Sequence, residues 1–325
     1  MHQIKDEQMD PQIRTVGRVA RALIPYMKES TFHKANWFLR VMKGKGPKDL
    51  NYREITIPRD PSSNVPGELR LCVYQPREAR AGAPGVLWIH GGGYCLGVPE
   101  MDVNFIRELI ETSGCTVVAP DYCLAVERPY PAALLDCYAA LRWMRENAGQ
   151  LGIRDDQLMV GGDSAGGGLT AALCIYARDK GEVSVAFQMP LYPMLDDRML
   201  TPSSQNNDAP LWNTRSNEEG WRLYLGELYQ TDDVPAYAAP GRLGDFSDLP
   251  PAYTFVGDIE PFHDETVSYM EQLRQAGVPA DYDVYPGCYH AFDIVAPKSE
   301  AALSAHARLR ERFSFAVENY HRAQP

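Results

Sequence analysis

Gly162-Asp163-Ser164-Ala165-Gly166 sets one hydroxyl between glycines. The short apolar run Leu158-Met159-Val160-Gly161 precedes it, and a helical pattern with Leu169, Ala172, Leu173 and Tyr176 on one face follows. A strand, a tight turn and a helix with serine at the apex lift that hydroxyl clear of the backbone for nucleophilic attack. The pentapeptide alone is also an ordinary turn sequence; its place between strand and helix gives it weight. Acyl transfer through a serine needs three more parts: N–H donors for a developing oxyanion, a base for the hydroxyl proton, and an acid that orients the base.

The donors are expected upstream, in Ile89-His90-Gly91-Gly92-Gly93, directly after a buried strand. The amides of Gly91 and Gly92, with that of Ala165, can surround an oxyanion there. Gly93 belongs to the same loop. The spacing does not match a phosphate-binding G-x-G-x-x-G, and no P-loop lysine follows. His90 precedes the nucleophile in chain order and reads as a structural residue that shapes the loop. The base is expected at His290, in Pro286-Gly287-Cys288-Tyr289-His290-Ala291-Phe292, a loop after the last strand candidate. His263 sits beside Asp264 and Glu265 on a helical face, and His2, His33 and His306 have no comparable context. Gly257-Asp258-Ile259-Glu260 leaves a strand and offers two acids. In an extended loop Asp258 and Glu260 point to similar sides, so chain order does not choose between them. No histidine pair at metal-ligand spacing appears, so neither a metal nor a cofactor is expected.

These groups must stand on a frame. Val86–Ile89 and Thr116–Ala119 are short continuous apolar runs, separated by a helical segment with Phe105, Ile106, Leu109 and Ile110. Helices alternating with buried strands predict an α/β fold with a mostly parallel sheet covered on both faces. Tyr52–Pro58 and Leu69–Gln75 keep polar residues among apolar ones, as an antiparallel edge does. Residues 15–42 read as helical, with Val16, Val19, Leu23 and Met27 in amphipathic spacing, and Trp37 and Phe38 further on. The Pro-, Asn- and Asp-rich stretch after the strand at Val185–Met189 is too long for an ordinary loop and predicts a lid. The boundaries expected are an N-terminal helical cap segment over 1–48, core over 49–193, a cap insertion over 194–232, and core again over 233–325.

The 325 residues carry a net charge of −11 without long acidic blocks, and no basic stripe argues for nucleic acid. Met1 to Arg14 is polar and mixed in charge, and no apolar run reaches membrane-spanning length. Neither a secretory leader nor a membrane partner is expected. Seven cysteines form no C-x-x-C pair and sit mostly among apolar neighbours, which suits buried thiols in a reducing cytoplasm.

Together His90-Gly91-Gly92-Gly93, Gly162-Asp163-Ser164-Ala165-Gly166-Gly167, Glu260-Pro261-Phe262 and His290-Ala291-Phe292 resemble the hormone-sensitive-lipase-like esterases, bacterial family IV of the α/β-hydrolase fold. Asp121-Tyr122-Cys123-Leu124-Ala125 and Tyr130-Pro131-Ala132-Ala133 also look like the family, although Cys123 replaces a usual arginine and Val126 a usual proline. The likeness runs from about Tyr52 to near the C terminus. It implies a carboxylesterase with a helical cap made from N-terminal helices and the segment after the strand that follows the elbow. Laying Pro261 on the family's Asp-Pro-Leu places Glu260 at the catalytic acid, a departure from the usual aspartate, with Asp258 the alternative. Asp163 is expected to hold nearby loops by hydrogen bonds. The resemblance also implies a short- to medium-chain or aryl ester substrate, and family members often form homodimers. Trp37, Phe38, Trp212 and Trp221 are candidates for an apolar wall. The rival readings are a serine hydrolase for an amide, lactone or carbamate, and a non-catalytic small-molecule receptor.

Overall fold

The computed structural model describes residues 4–78 and 81–325; residues 1–3, His2 among them, and 79–80 lie outside the described part. Helices α1 (Pro11–Leu23) and α2 (Glu29–Leu39) precede the sheet. Then follow β1 (Asn51–Pro58), β2 (Glu68–Gln75), β3 (Ala83–Ile89), α3 (Val103–Ser113), β4 (Thr116–Pro120), α4 (Ala132–Glu146) and the single turn α5 (Ala148–Leu151). The second half runs through β5 (Ile153–Asp163), α6 (Ala165–Lys180), β6 (Phe187–Leu191), α7 (Thr214–Leu225), β7 (Ala252–Gly257), α8 (His263–Gln275), β8 (Ala280–Tyr285), α9 (Phe292–Val295) and α10 (Glu300–Asn319).

Among the described residues eight strands form one sheet in the order β1-β2-β4-β3-β5-β6-β7-β8. The β1–β2 and β2–β4 pairs are antiparallel, and the rest are parallel. This is the α/β-hydrolase architecture, a mostly parallel sheet with helices on both faces. The continuous apolar runs of β3 and β4 suit strands covered twice, because side chains alternate between faces. Leu87 and Ile89 pack with residues of α4, α6 and α8, whereas Val86 and Trp88 pack with those of α3 and α10. The register brings the strand ends together: Ile89 lies opposite Gly162, and Asp163 opposite Leu191. The glycine-rich loop after β3, the serine after β5 and the excursion after β6 therefore start side by side.

That excursion, residues 192–251, and the N-terminal helices hold each other. Met27 N–H donates to Ser216 Oγ (2.9 Å), Asn213 Nδ2 to the Pro25 carbonyl (2.8 Å), and Arg222 pairs with Glu29 (2.9 Å). A helical cap results. The N-terminal helices differ from expectation in which side they bury. Helix α1 starts at Pro11, capped by Asp10, and ends before Pro25. Its packed residues are Ile13 and Gly17, while Val16, Val19 and Leu23 face outward. The reason is local: a β-carbon at Gly17 would lie 2.7 Å from Cε1 of Tyr289, so only glycine lets the helix settle on that ring. Tyr289 Oη donates to the Ile13 carbonyl (3.0 Å), and Asp10 N–H donates to that of Gly287 (2.9 Å), fastening α1 to the histidine loop. All seven cysteines are buried free thiols.

Candidate active site

Ser164 sits at the turn between β5 and α6 with φ 56° and ψ −119°, a conformation that L-residues avoid unless the surroundings enforce it. Its N–H donates to the Leu191 carbonyl (2.9 Å), and its own carbonyl accepts from Gly168 (3.0 Å) and Met194 (3.1 Å). Gly166 shows why the flanks are small. A β-carbon there would lie 2.0 Å from the Ile89 carbonyl oxygen, so the helix start could not approach β3.

A line of side chains continues from the hydroxyl. Ser164 Oγ lies 2.8 Å from His290 Nε2, and His290 Nδ1 lies 2.5 Å from Glu260 Oε2. The other oxygen, Oε1, accepts the Gly257 N–H (3.0 Å). Glu260 is fully buried, and Ser164 and His290 nearly so. A carboxylate accepts only, so Nδ1 carries a proton and Nε2 is left to accept from the serine hydroxyl. Tyr192 and Phe262 set their rings edge-on to the imidazole at 5.1 and 5.0 Å between centroids.

Asp258 is not brought to this line. It is exposed, and its Oδ1 accepts the Gly287 N–H (2.6 Å). The expectation that both acids share a side assumed an extended segment; residues 258–260 form a turn, and the two side chains diverge.

The loop after β3 packs tightly. His90 is buried with its ring stacked on Tyr122 (4.3 Å), and its Nδ1 lies 2.8 Å from the Gly91 carbonyl. Burial pushes its pKa down to about 4, so the ring is neutral at pH 7 and donates from Nδ1. Asp163, adjacent to the nucleophile, is buried, desolvation raises its carboxyl, and its Oδ2 would lie 2.5 Å from a β-carbon at Gly91. The N–H groups of Gly92 and Gly93 donate to no carbonyl among the described residues, and that of Ala165 is one of the unpaired donors of the first turn of α6. Trp212, from the excursion, lies over this loop: its Cη2 would be 2.2 Å from a β-carbon at Gly93. It also stands 6.4 Å from the His290 ring and 6.5 Å from Phe32 of α2. Trp221 is wholly buried in the core, and Trp37 and Phe38 point away into solvent.

Asp102 was invisible in the motif reading. It lies in a short 3₁₀ turn before α3, accepts the Trp88 Nε1–H (2.9 Å), and is near enough to Asp163 to feel its charge. Burial holds its carboxyl well above the usual range, with the Asp163 charge adding to the shift. No local pattern marks such a residue, because its partner is sixty-one positions away. Elsewhere, Glu54, Cys72 and Glu100 bring potential metal-ligand atoms within 4.8 Å of one another. The Arg70 guanidinium already fills that charge, at 3.0 Å from Glu54 and 2.7 Å from Glu100.

Residues 86–294 match a family model described as alpha/beta hydrolase fold. The chain is 39% identical to Esterase LipI of Mycobacterium tuberculosis over 66% of this chain and 68% of that protein. It is 34% identical to Carboxylesterase NlhH of the same organism over 80% of this chain and 81% of the relative. Among solved structures it is similar to a bacterial heroin esterase, with a TM-score of 0.85 and 32% identity over 96% of this chain and 98% of the other.

Proposed function

The chain belongs to the alpha/beta hydrolase fold family and is a carboxylic ester hydrolase related to the hormone-sensitive-lipase-like esterases, and we propose that it works through an acyl-enzyme on Ser164. The observation that carries this reading is the buried hydrogen-bonded line from Ser164 through His290 to Glu260. His290 Nε2 takes the hydroxyl proton as Oγ attacks the ester carbonyl. The imidazolium then gives that proton to the departing alcohol. In the second half His290 takes a proton from the water that attacks the acyl carbonyl, the bond to Ser164 Oγ breaks, and His290 returns the proton to Oγ as the acid leaves. Glu260 keeps Nδ1 protonated and stabilises the transient positive ring.

The oxyanion is assigned to the amides of Gly92 and Ala165. Gly91 and Gly93 flank Gly92, and neither N–H donates to a carbonyl among the described residues, so both are free to serve as the further donor. Such preset donors are worth roughly 3–4 kcal/mol each in acyl transfer. His90 and the Asp163–Asp102 pair hold the loops that carry these amides. Trp212, which lies against Gly93 and 6.4 Å from the His290 ring with Phe32 packed on it, supports a preference for short- to medium-chain or aryl esters. Seven buried free thiols fit a reducing compartment such as the cytoplasm.

The test is a series of p-nitrophenyl esters of increasing acyl length, run beside labelling by a fluorophosphonate probe. Wild type is expected to peak at short chains and to label on Ser164, and Ser164→Ala to do neither. Ester turnover that survives Ser164→Ala would overturn the mechanism.

A further inference from the structure

The cap turns apolar stripes toward solvent, and the charge around them is opposite to that of the protein. Along α2, Lys34, Trp37 and Phe38 fall at helical spacing with Val41 one turn beyond, on the side opposite the buried Phe32. Trp37 is 68% exposed and Phe38 67%, and the two rings pack edge to face at 4.8 Å. Along α1, Val16, Val19 and Leu23 form a second outward stripe, with Leu23 76% exposed. Two helices thus present what a soluble surface ordinarily hides.

The charge points to the occupant. Residues 1–48 hold ten Lys and Arg against four Asp and Glu, a net of +6, while the whole chain is −11. Arg18 pairs with Asp6, and Lys43 with Asp121. Lys28, Lys34, Arg40, Lys45 and Lys48 pair with no carboxylate among the described residues; Glu29, the acid of α2, is engaged by Arg222. A segment of net positive charge whose helix exposes Trp and Phe, with Lys34 one turn before them and Arg40 just beyond, attached to an acidic body, has the signature of an element that lies in the interface of an anionic membrane. A second copy of this chain would bring +6 against +6, and a nucleic acid would have no use for a Trp-Phe-Val stripe.

We propose that the α1–α2 face of the cap docks peripherally on an anionic phospholipid surface, with Trp37 and Phe38 inserted at headgroup depth and Lys34, Arg40 and their neighbours over the lipid charges. No described helix is long and apolar enough to cross a membrane, so this is adsorption and not spanning, and it departs from the expectation of no membrane partner. Helix α2 also carries Phe32, which packs on Trp212 above the glycine-rich loop, so docking would set the roof of the site at the lipid boundary.

The experiment is co-sedimentation of the full chain with vesicles of phosphatidylcholine alone, and with about one-third phosphatidylglycerol. Binding is expected only to the anionic vesicles, and it should weaken strongly as ionic strength rises from about 0.1 to about 1 M. Lys34→Gln and Arg40→Gln should each lower the partition coefficient roughly fivefold, and Trp37→Ser with Phe38→Ser at least about tenfold. Turnover of a small soluble ester should stay unchanged in all of them, which shows that they fold. Ser164→Ala should bind like wild type, so this inference stands or falls apart from the catalytic one. Equal binding to both vesicles, or to neither, would overturn the proposal. So would anionic binding that survives loss of both rings, as at a simple polyanion site. A dimer dissociated by Trp37→Ser with Phe38→Ser would assign the face to a second copy instead.

Discussion

Replacing Glu260 by glutamine tests the acid and its surroundings together. Both carboxylate oxygens accept: Oε2 from His290 Nδ1 and Oε1 from the Gly257 N–H. Glutamine has one accepting oxygen and one NH₂. If the oxygen serves His290, the NH₂ confronts the Gly257 N–H; if it serves Gly257, the NH₂ forces the imidazole into the wrong tautomer. In either orientation the negative charge facing the imidazolium is gone. At a charge separation of about 4 Å and an effective dielectric near 20, that charge stabilises the pair by about 4 kcal/mol, and about 1.4 kcal/mol is tenfold in rate. Glu260→Gln should therefore lower kcat about a thousandfold with little change in KM, because the charge matters in the transition state and not in substrate binding. Asp258→Asn, whose acceptor oxygen can still take the Gly287 N–H, should stay within about threefold of wild type. Steady-state kinetics on a p-nitrophenyl ester, with circular dichroism to verify folding, decides it. Glu260→Gln retaining more than a tenth of the wild-type kcat, or Asp258→Asn falling as far, would refute the reasoning.

Three further outcomes follow from the packing. Gly166→Ala must push α6 away from the Ile89 carbonyl, so thermal melting should show at least about 1–3 kcal/mol of lost stability, with activity falling further. Trp212→Ala removes the ring over Gly93; the acyl-chain optimum should move to longer chains, at about 3–5 kcal/mol of stability, and an unmoved optimum would show that Trp212 does not limit the pocket. Asp293 is buried, and desolvation raises its carboxyl to about 6, above the roughly 3.9 of an unfolded chain. The folded state holds the extra proton between those values, so this contribution is complete below about pH 4 and is lost as pH rises through 6. Melting curves of wild type should lose ground to Asp293→Asn across that window, by up to about 3 kcal/mol, and parallel curves would remove Asp293 from the balance.

The sheet was legible because buried strands and amphipathic helices alternate in the residues themselves, and Leu158–Gly161 leads straight into Ser164 as a strand must. The placement of Ser164 and His290 side by side follows from the same order of elements. What periodicity does not carry is direction. The spacing of Val16, Val19 and Leu23 marks a stripe on α1, but the packed side is chosen by Gly17 and Ile13 meeting Tyr289, a residue far along the chain. Asp258 and Glu260 were equivalent on paper because their separation depends on a turn of three residues. Asp102 reaches Asp163 only through the tertiary fold.

The bond between Ile13 and Tyr289 spans 276 residues. At about 5–20 residues per second of synthesis, the N-terminal helices wait roughly 15–55 s before the ring that receives them exists. Through that interval the outward stripe of α1 stands open, and its Ile13–Gly17 side has Met9 and later Pro210 beside it but not yet the ring that completes its seat. The nascent chain thus carries its earliest helix unseated for most of synthesis, and the loop that bears His290 is what completes the seat.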